Sequence, residues 1–152
     1  MSTERNEKYP FKSPTTSNLY CTPAQYIAEL MCLRQAAKQK TKLSDKFWEN
    51  NSWKVSYKQH ILAANQLLKI FEPQAIINAL NQKEYHWITS LRVKALTQGI
   101  IRESEKIAQE NKRLQQAYDK EVIEQAEQKE VEAESVIVKP FSSNKSKLKD
   151  LD

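Results

Sequence analysis

Residues 53–71, WKVSYKQHILAANQLLKIF, decide the reading of this chain. Trp53, Tyr57, Ile61, Ala64, Leu67, Leu68 and Phe71 recur at helical spacing and share one face. Lys54, Lys58, Asn65 and Lys69 fall on an adjoining face, so a core-building stripe lies beside a cationic one. Leu62 and Ile70 lie off both stripes, which makes the second half of the helix apolar nearly all round. A helix covered on several sides is central to its domain, so this stretch predicts the spine of a helical bundle.

The whole chain agrees with a helical reading. It carries one glycine in 152 residues, whereas sheets and tight hairpins need glycine at their turns. The expected fold class is all-α: a compact bundle of about four helices, a long polar C-terminal helix and disordered termini. The division predicted is a disordered arm over 1–20, a helical domain over 21–101, an extended polar helix over 102–134 and a disordered tail over 135–152.

Several segments carry their own start and stop signals. Residues 1–20 are polar, hold Pro10 and Pro14, and have no periodicity, with Tyr9 and Phe11 available to pin the arm or to meet a partner. Thr22, Pro23 and Gln25 form a T-x-x-Q capping box that opens a first helix, with Tyr26, Ile27, Leu30, Met31, Leu33 and Ala37 on its buried face. Lys38, Lys40 and Lys42 crowd its C-terminus, where cations suit the macrodipole. The connector TKLSDKFWENNS holds Phe47 and Trp48 as a plug over the helix pair, and Asn51 or Ser52 caps the central helix. Pro73 ends that helix and begins a short apolar one, Ala75–Leu80. Trp87, Ile88, Leu91 and Leu96 are expected to begin a fourth helix, whose continuity Gly99 weakens by about 1 kcal/mol relative to alanine. Beyond it, Ile100, Ile107 and Leu114 are spaced by seven, but Ser104, Asn111 and Gln125 occupy the partner positions. That is a weak coiled coil or a protruding helix of roughly 45–50 Å.

Composition excludes several functions. Cys21 and Cys32 are the only cysteines, with no CxxC or HxxxH spacing, so neither a metal site nor a disulfide framework is expected. The polar start MSTERNEKYP is unlike a signal peptide, and no apolar run reaches the roughly 20 residues of a membrane span. A reduced, cytoplasmic chain without membrane contact is therefore expected. One glycine cannot build a phosphate-cradling loop, and no nucleophile is patterned beside His60 or His86, which read as a core and a surface histidine. Neither a catalytic residue nor a cofactor is expected.

Charge is what remains. The chain is +5 overall, but residues 22–101 carry 11 basic and 5 acidic groups, while residues 102–138 carry 6 and 10. A basic domain suggests an anionic partner, DNA or RNA first, against the plainer alternative of a solvated lysine face. Lys54, Lys58 and Lys69 on the central helix, with Arg92 and Lys94 after Trp87, are the expected phosphate contacts. Asn65 and Gln66 are placed to read base edges once the register is fixed, and Lys83 lies in the loop before. The second reading is a structural or adaptor protein that uses residues 100–130 for a protein partner or self-association. A third is a regulator whose acidic helix acts as a decoy for a basic partner.

The stretch AANQLLKIFEPQAIINALNQKEYHWITSLRVKALTQGII, residues 63–101, resembles small helical modules of phage replication accessory proteins of the replisome-organiser or helicase-loader type. The likeness lies in a helix ending in LLKIF, a short EPQAIINAL helix and an aromatic Trp87-Ile88 start to the next. It implies DNA and a helicase as partners and assigns no individual residue.

Overall fold

Thr22 opens the first helix by the predicted reciprocal cap. Gln25 N–H donates to Thr22 Oγ1 at 3.2 Å, and Thr22 N–H donates to Gln25 Oε1 at 3.0 Å. With Pro23 at the first position, helix α1 runs Pro23–Lys38. In this computed structural model, which describes the backbone of residues 1–151 and side chains through residue 133, three further helices follow. They are α2 (Asn51–Leu68), α3 (Pro73–Leu80) and α4 (Lys94–Leu151). Single 3-10 turns occupy Phe47–Glu49 and Lys83–Tyr85. Residues Met1–Ile107 form one compact unit, and a second begins at Ala108.

The helix that opened the sequence reading is not covered on several sides. Tyr57, His60, Ala63 and Ala64 of α2 are buried, but Val55 is 64 % and Leu62 61 % exposed, and Ile70 just beyond is also exposed. The apolar side chains there outnumber the contacts available, because α2 packs chiefly on α1 along one face. The central helix is α3, where Ala75, Ile76, Ile77, Ala79 and Leu80 are all buried. They form one core with Ile27 and Met31 of α1, Ala63 and Ala64 of α2, and Ile88, Leu91, Leu96 and Ile100. A second cluster joins Ala28 and Cys32 of α1 to Tyr57 through Phe47, which has no exposed surface and fills the plug position expected of it.

The fourth helix starts at Lys94 rather than Trp87. Arg34 of α1 supplies the reason. Its guanidinium donates to the carbonyls of Tyr85 at 2.8 Å, of Ile88 at 3.1 Å and of Leu80, so these oxygens are held by a side chain. Ile88 and Leu91 are still buried, as the apolar pattern required, but from an irregular segment. Trp87 is left 63 % exposed, its indole N–H on the Glu84 carbonyl at 2.8 Å.

Gly99 lies within α4 without interrupting it. A Cβ there would stand 2.5 Å from the Tyr85 ring, so the missing side chain lets the aromatic lie against the helix. Arg102 then donates to the Tyr85 hydroxyl, and Gln82 to the nearly buried Glu103. These contacts carry the first unit to Ile107, past the boundary expected at 101. From Ala108 to residue 133 every side chain of α4 is exposed. The side chains of the tail expected over 135–152 lie outside the described residues.

The N-terminal arm departs most from expectation, since most of residues 1–20 were expected to be disordered. Strands β1 (Phe11–Lys12) and β2 (Tyr20–Cys21) pair antiparallel, with Phe11 opposite Cys21, and Ser2 bridges to Tyr20. Asn18, with φ 64°, takes the left-handed turn position that a glycine-poor chain must fill otherwise. The anchor is Glu29, fully buried on α1. It accepts from Ser13 Oγ at 2.9 and 3.0 Å, from Thr15 Oγ1 at 2.9 Å and from Cys21 Sγ at 3.9 Å. Phe11 also meets the Tyr26 ring at 5.1 Å, so the arm is pinned as one of the two readings of Phe11 allowed. The fold is helical with one small hairpin.

Two outcomes follow from these contacts. Gly99→Ala should lower the melting temperature, although alanine is favoured in a helix by about 1 kcal/mol, because the added methyl displaces the Tyr85 ring. A thermal melt that rises would contradict the packing. Burial raises the Glu29 carboxyl above the usual carboxylate range, so the folded state holds its proton more tightly than the unfolded chain. That contribution to stability is full below the ordinary glutamate value and is lost as pH rises through the raised one. Denaturant titrations from acid toward neutral pH should record this decline, and Glu29→Gln should remove it.

Candidate nucleic-acid interface

Helical spacing puts Lys54, Lys58 and Lys69 within an arc of about 60° on α2. All three are exposed, as are Arg92 and Lys94. Lys54 and Lys58 border a groove of about 490 Å3 whose other walls are Trp48, Glu49, Tyr57 and Ile61. The 3-10 turn at Phe47–Glu49 builds this groove. Phe47 is enclosed, and its neighbour Trp48 is partly buried against the same cluster, stacked on Tyr57 at 5.5 Å and 24°. Phe47 braces the stack edge-on, 5.3 Å from Trp48 and 5.6 Å from Tyr57.

The groove is amphipathic. Two ammonium groups and one carboxylate, Glu49, stand beside an aromatic wall and Ile61. The Tyr57 hydroxyl is buried and has no hydrogen-bond partner, and burial pushes its ionisation above the ordinary phenol value. It therefore stays protonated. Asn65 lies on the same arc, between Lys54 and Lys58 in angle, and Gln66 is also exposed.

The five cations expected to act together are divided. Arg92 lines a different recess, of about 330 Å3, with Gln35, Gln59, His60, Ala63, Thr89, Ser90 and Leu91. Gln59 and Ala63 lie roughly 120–160° round the α2 axis from the Lys54–Lys58 edge. Arg92 thus opens beside the opposite flank of α2, while Lys94 is the first residue of α4. The lysines of α2 form the coherent group.

Sequence reasoning missed two parts of this arrangement. Phe47 and Trp48 both pack on the cluster with Tyr57, as the plug reading expected, but only Phe47 is fully enclosed, and nothing in an adjacent aromatic pair reveals which ring keeps an open edge. His60 read as a satisfied core histidine. It is 8 % exposed but makes no hydrogen bond among the described residues, and burial lowers its pKa below the usual histidine value. Among the described residues no three His, Cys, Asp or Glu side chains gather as a metal site, and no helix is long and apolar enough to cross a membrane. Comparison with family models, curated proteins and solved structures finds no match to this chain.

The His60 environment has a direct readout. Its imidazole should titrate below the ordinary value in an NMR pH series. Because the folded state binds that proton less well than the unfolded chain, the His60 contribution to stability is present above the ordinary value and lost as pH falls through the lowered one. An imidazole titrating at or above the ordinary value would contradict its burial.

Proposed function

We propose that this is a non-enzymatic nucleic-acid-binding accessory protein that takes DNA or RNA along the lysine flank of α2. The observation that carries the reading is the groove where Lys54 and Lys58 stand beside the Trp48–Tyr57 stack, with Lys69 further along the same flank. Lysines neutralise phosphates without regard to sequence, and the part of the Trp48 indole that lines the groove offers a surface on which a base can stack. That pairing favours single-stranded nucleic acid over duplex, because bases within a duplex do not present their faces. Asn65 and Gln66 are available for base edges. Arg92, in the recess on the other flank of α2, is not part of this surface. The likeness of residues 63–101 to phage replication modules supports a setting in phage or mobile-element replication or transcription, in the cytoplasm of a bacterial or host cell.

A second reading has its own observation. Leu114, Tyr118 and Val122, spaced by four on α4, are exposed, which suits a helix that docks a protein partner or pairs with itself. In that adaptor role these exposed side chains of α4 would make the partner contact.

Salt titration of binding to single-stranded and duplex oligonucleotides tests the leading reading. Three phosphate contacts predict a slope of about −2 in log K against log salt for a single strand. Lys54→Gln with Lys58→Gln should reduce that slope by about 1.4. Trp48→Ala should cost about 1–3 kcal/mol of binding while its melting curve reports any loss of packing. No binding at low salt would overturn the reading. Truncation after Ile107 separates the two roles, since nucleic-acid binding should survive it and assembly should not.

A further inference from the structure

Helix α1, helix α2 and the irregular segment before α4 enclose the recess that holds Arg92. Its lining contains no carboxylate. His60, more than nine-tenths buried, lines the recess, and among the described residues neither ring nitrogen has a hydrogen-bond partner. Among the described residues the Arg92 guanidinium has neither an ion pair nor a hydrogen bond, and the Gln59 carboxamide has no hydrogen bond. Ser90 Oγ accepts from Arg92 N–H at 3.3 Å and keeps its own hydrogen to donate. Gln35 reaches the Thr89 carbonyl at 3.5 Å, which ties α1 to the far wall.

The His60 ring is buried while its nitrogens open to the recess, so with the Arg92, Gln59 and Ser90 donors it lines a site that an acceptor group can fill. Guanidinium, carboxamide and hydroxyl donors together match the oxygens of a phosphate or carboxylate group. A neutral imidazole adds one donor and one acceptor, which suits a group carrying a hydroxyl or a protonated oxygen. At about 330 Å3 the recess is at the small end of ligand pockets, roomier than a bare ion needs.

We propose that the recess between Gln35, Gln59, His60, Ser90 and Arg92 binds a small oxyanion, a phosphate or carboxylate group carried on a small molecule. It lies on the other flank of α2 from the lysine groove and stands whether or not that groove binds nucleic acid.

Inorganic phosphate and acetate, each titrated into the full-length protein at constant ionic strength, test the site by calorimetry and by the His60 imidazole NMR signals. Saturable binding of at least one, with an upward movement of the His60 titration on saturation, is the expected result. Arg92→Gln should weaken that binding by about tenfold or more, as loss of a charge-assisted contact implies. Lys112→Gln, which removes the same charge from the exposed part of α4, should change it by less than about twofold. Equal losses in the two variants, or an unsaturated drift of the His60 signals with both anions, overturn the proposal. Arg92 is exposed, so its substitution leaves the core intact, and a matching melt confirms that the loss is one of binding.

Discussion

Three backbone carbonyls converge on Arg34, and no carboxylate among the described residues shares its guanidinium. That constraint sets the path of the chain from the end of α3 to the start of α4. The segment folds back over α1 without a regular ladder, so its oxygens need a donor from elsewhere, and one planar fork supplies several. Burial lowers the pKa of Arg34, a sign of how far the charge has been withdrawn from water to reach them. Lysine could not replace it, because a single ammonium cannot span that set of directions.

Glu29, five residues earlier on α1, solves the mirror problem. Its acceptors gather the hydroxyls of Ser13 and Thr15 and the thiol of Cys21 from the arm, while Arg34 gathers acceptors from the other side of the domain. The two opposite charges on one helix are each satisfied by neutral groups. This division lets α1 hold an irregular segment on either side. Thr16 extends the arm's reach, accepting from Lys46 N–H at 3.1 Å and so linking the arm to the turn that carries Phe47. The lysine groove therefore rests on α1 indirectly, through the placement of Phe47 and Trp48.

The helices were legible because their signals are local. The Thr22 box, Pro73 and the apolar run of α3 each act within a few residues and appear where they were read, whereas of the face expected on α1 only Ile27 and Met31 are buried and Ala37 is exposed. The arm was not legible, since its order depends on Glu29 lying across from Ser13, a contact between residues far apart in sequence. The start of α4 was missed for the same reason, as Arg34 overrides an apolar pattern that is otherwise helical. Of the candidate site, the lysine arc of α2 follows from periodicity alone. The groove wall and the separation of Arg92 needed the path of the chain.

Both cysteines are free, fully buried and pushed up to about 12, so neither thiol reacts readily while its surroundings are closed. They are covered by different things. Cys21 belongs to the hairpin that Glu29 holds, whereas Cys32 lies among Phe47, Tyr57 and Ala28. Alkylation at the first thiol therefore clocks the lifting of the arm, and alkylation at the second clocks the opening of the α1–α2 pair. The chain carries two internal timers, one for local fraying and one for the loss of its frame.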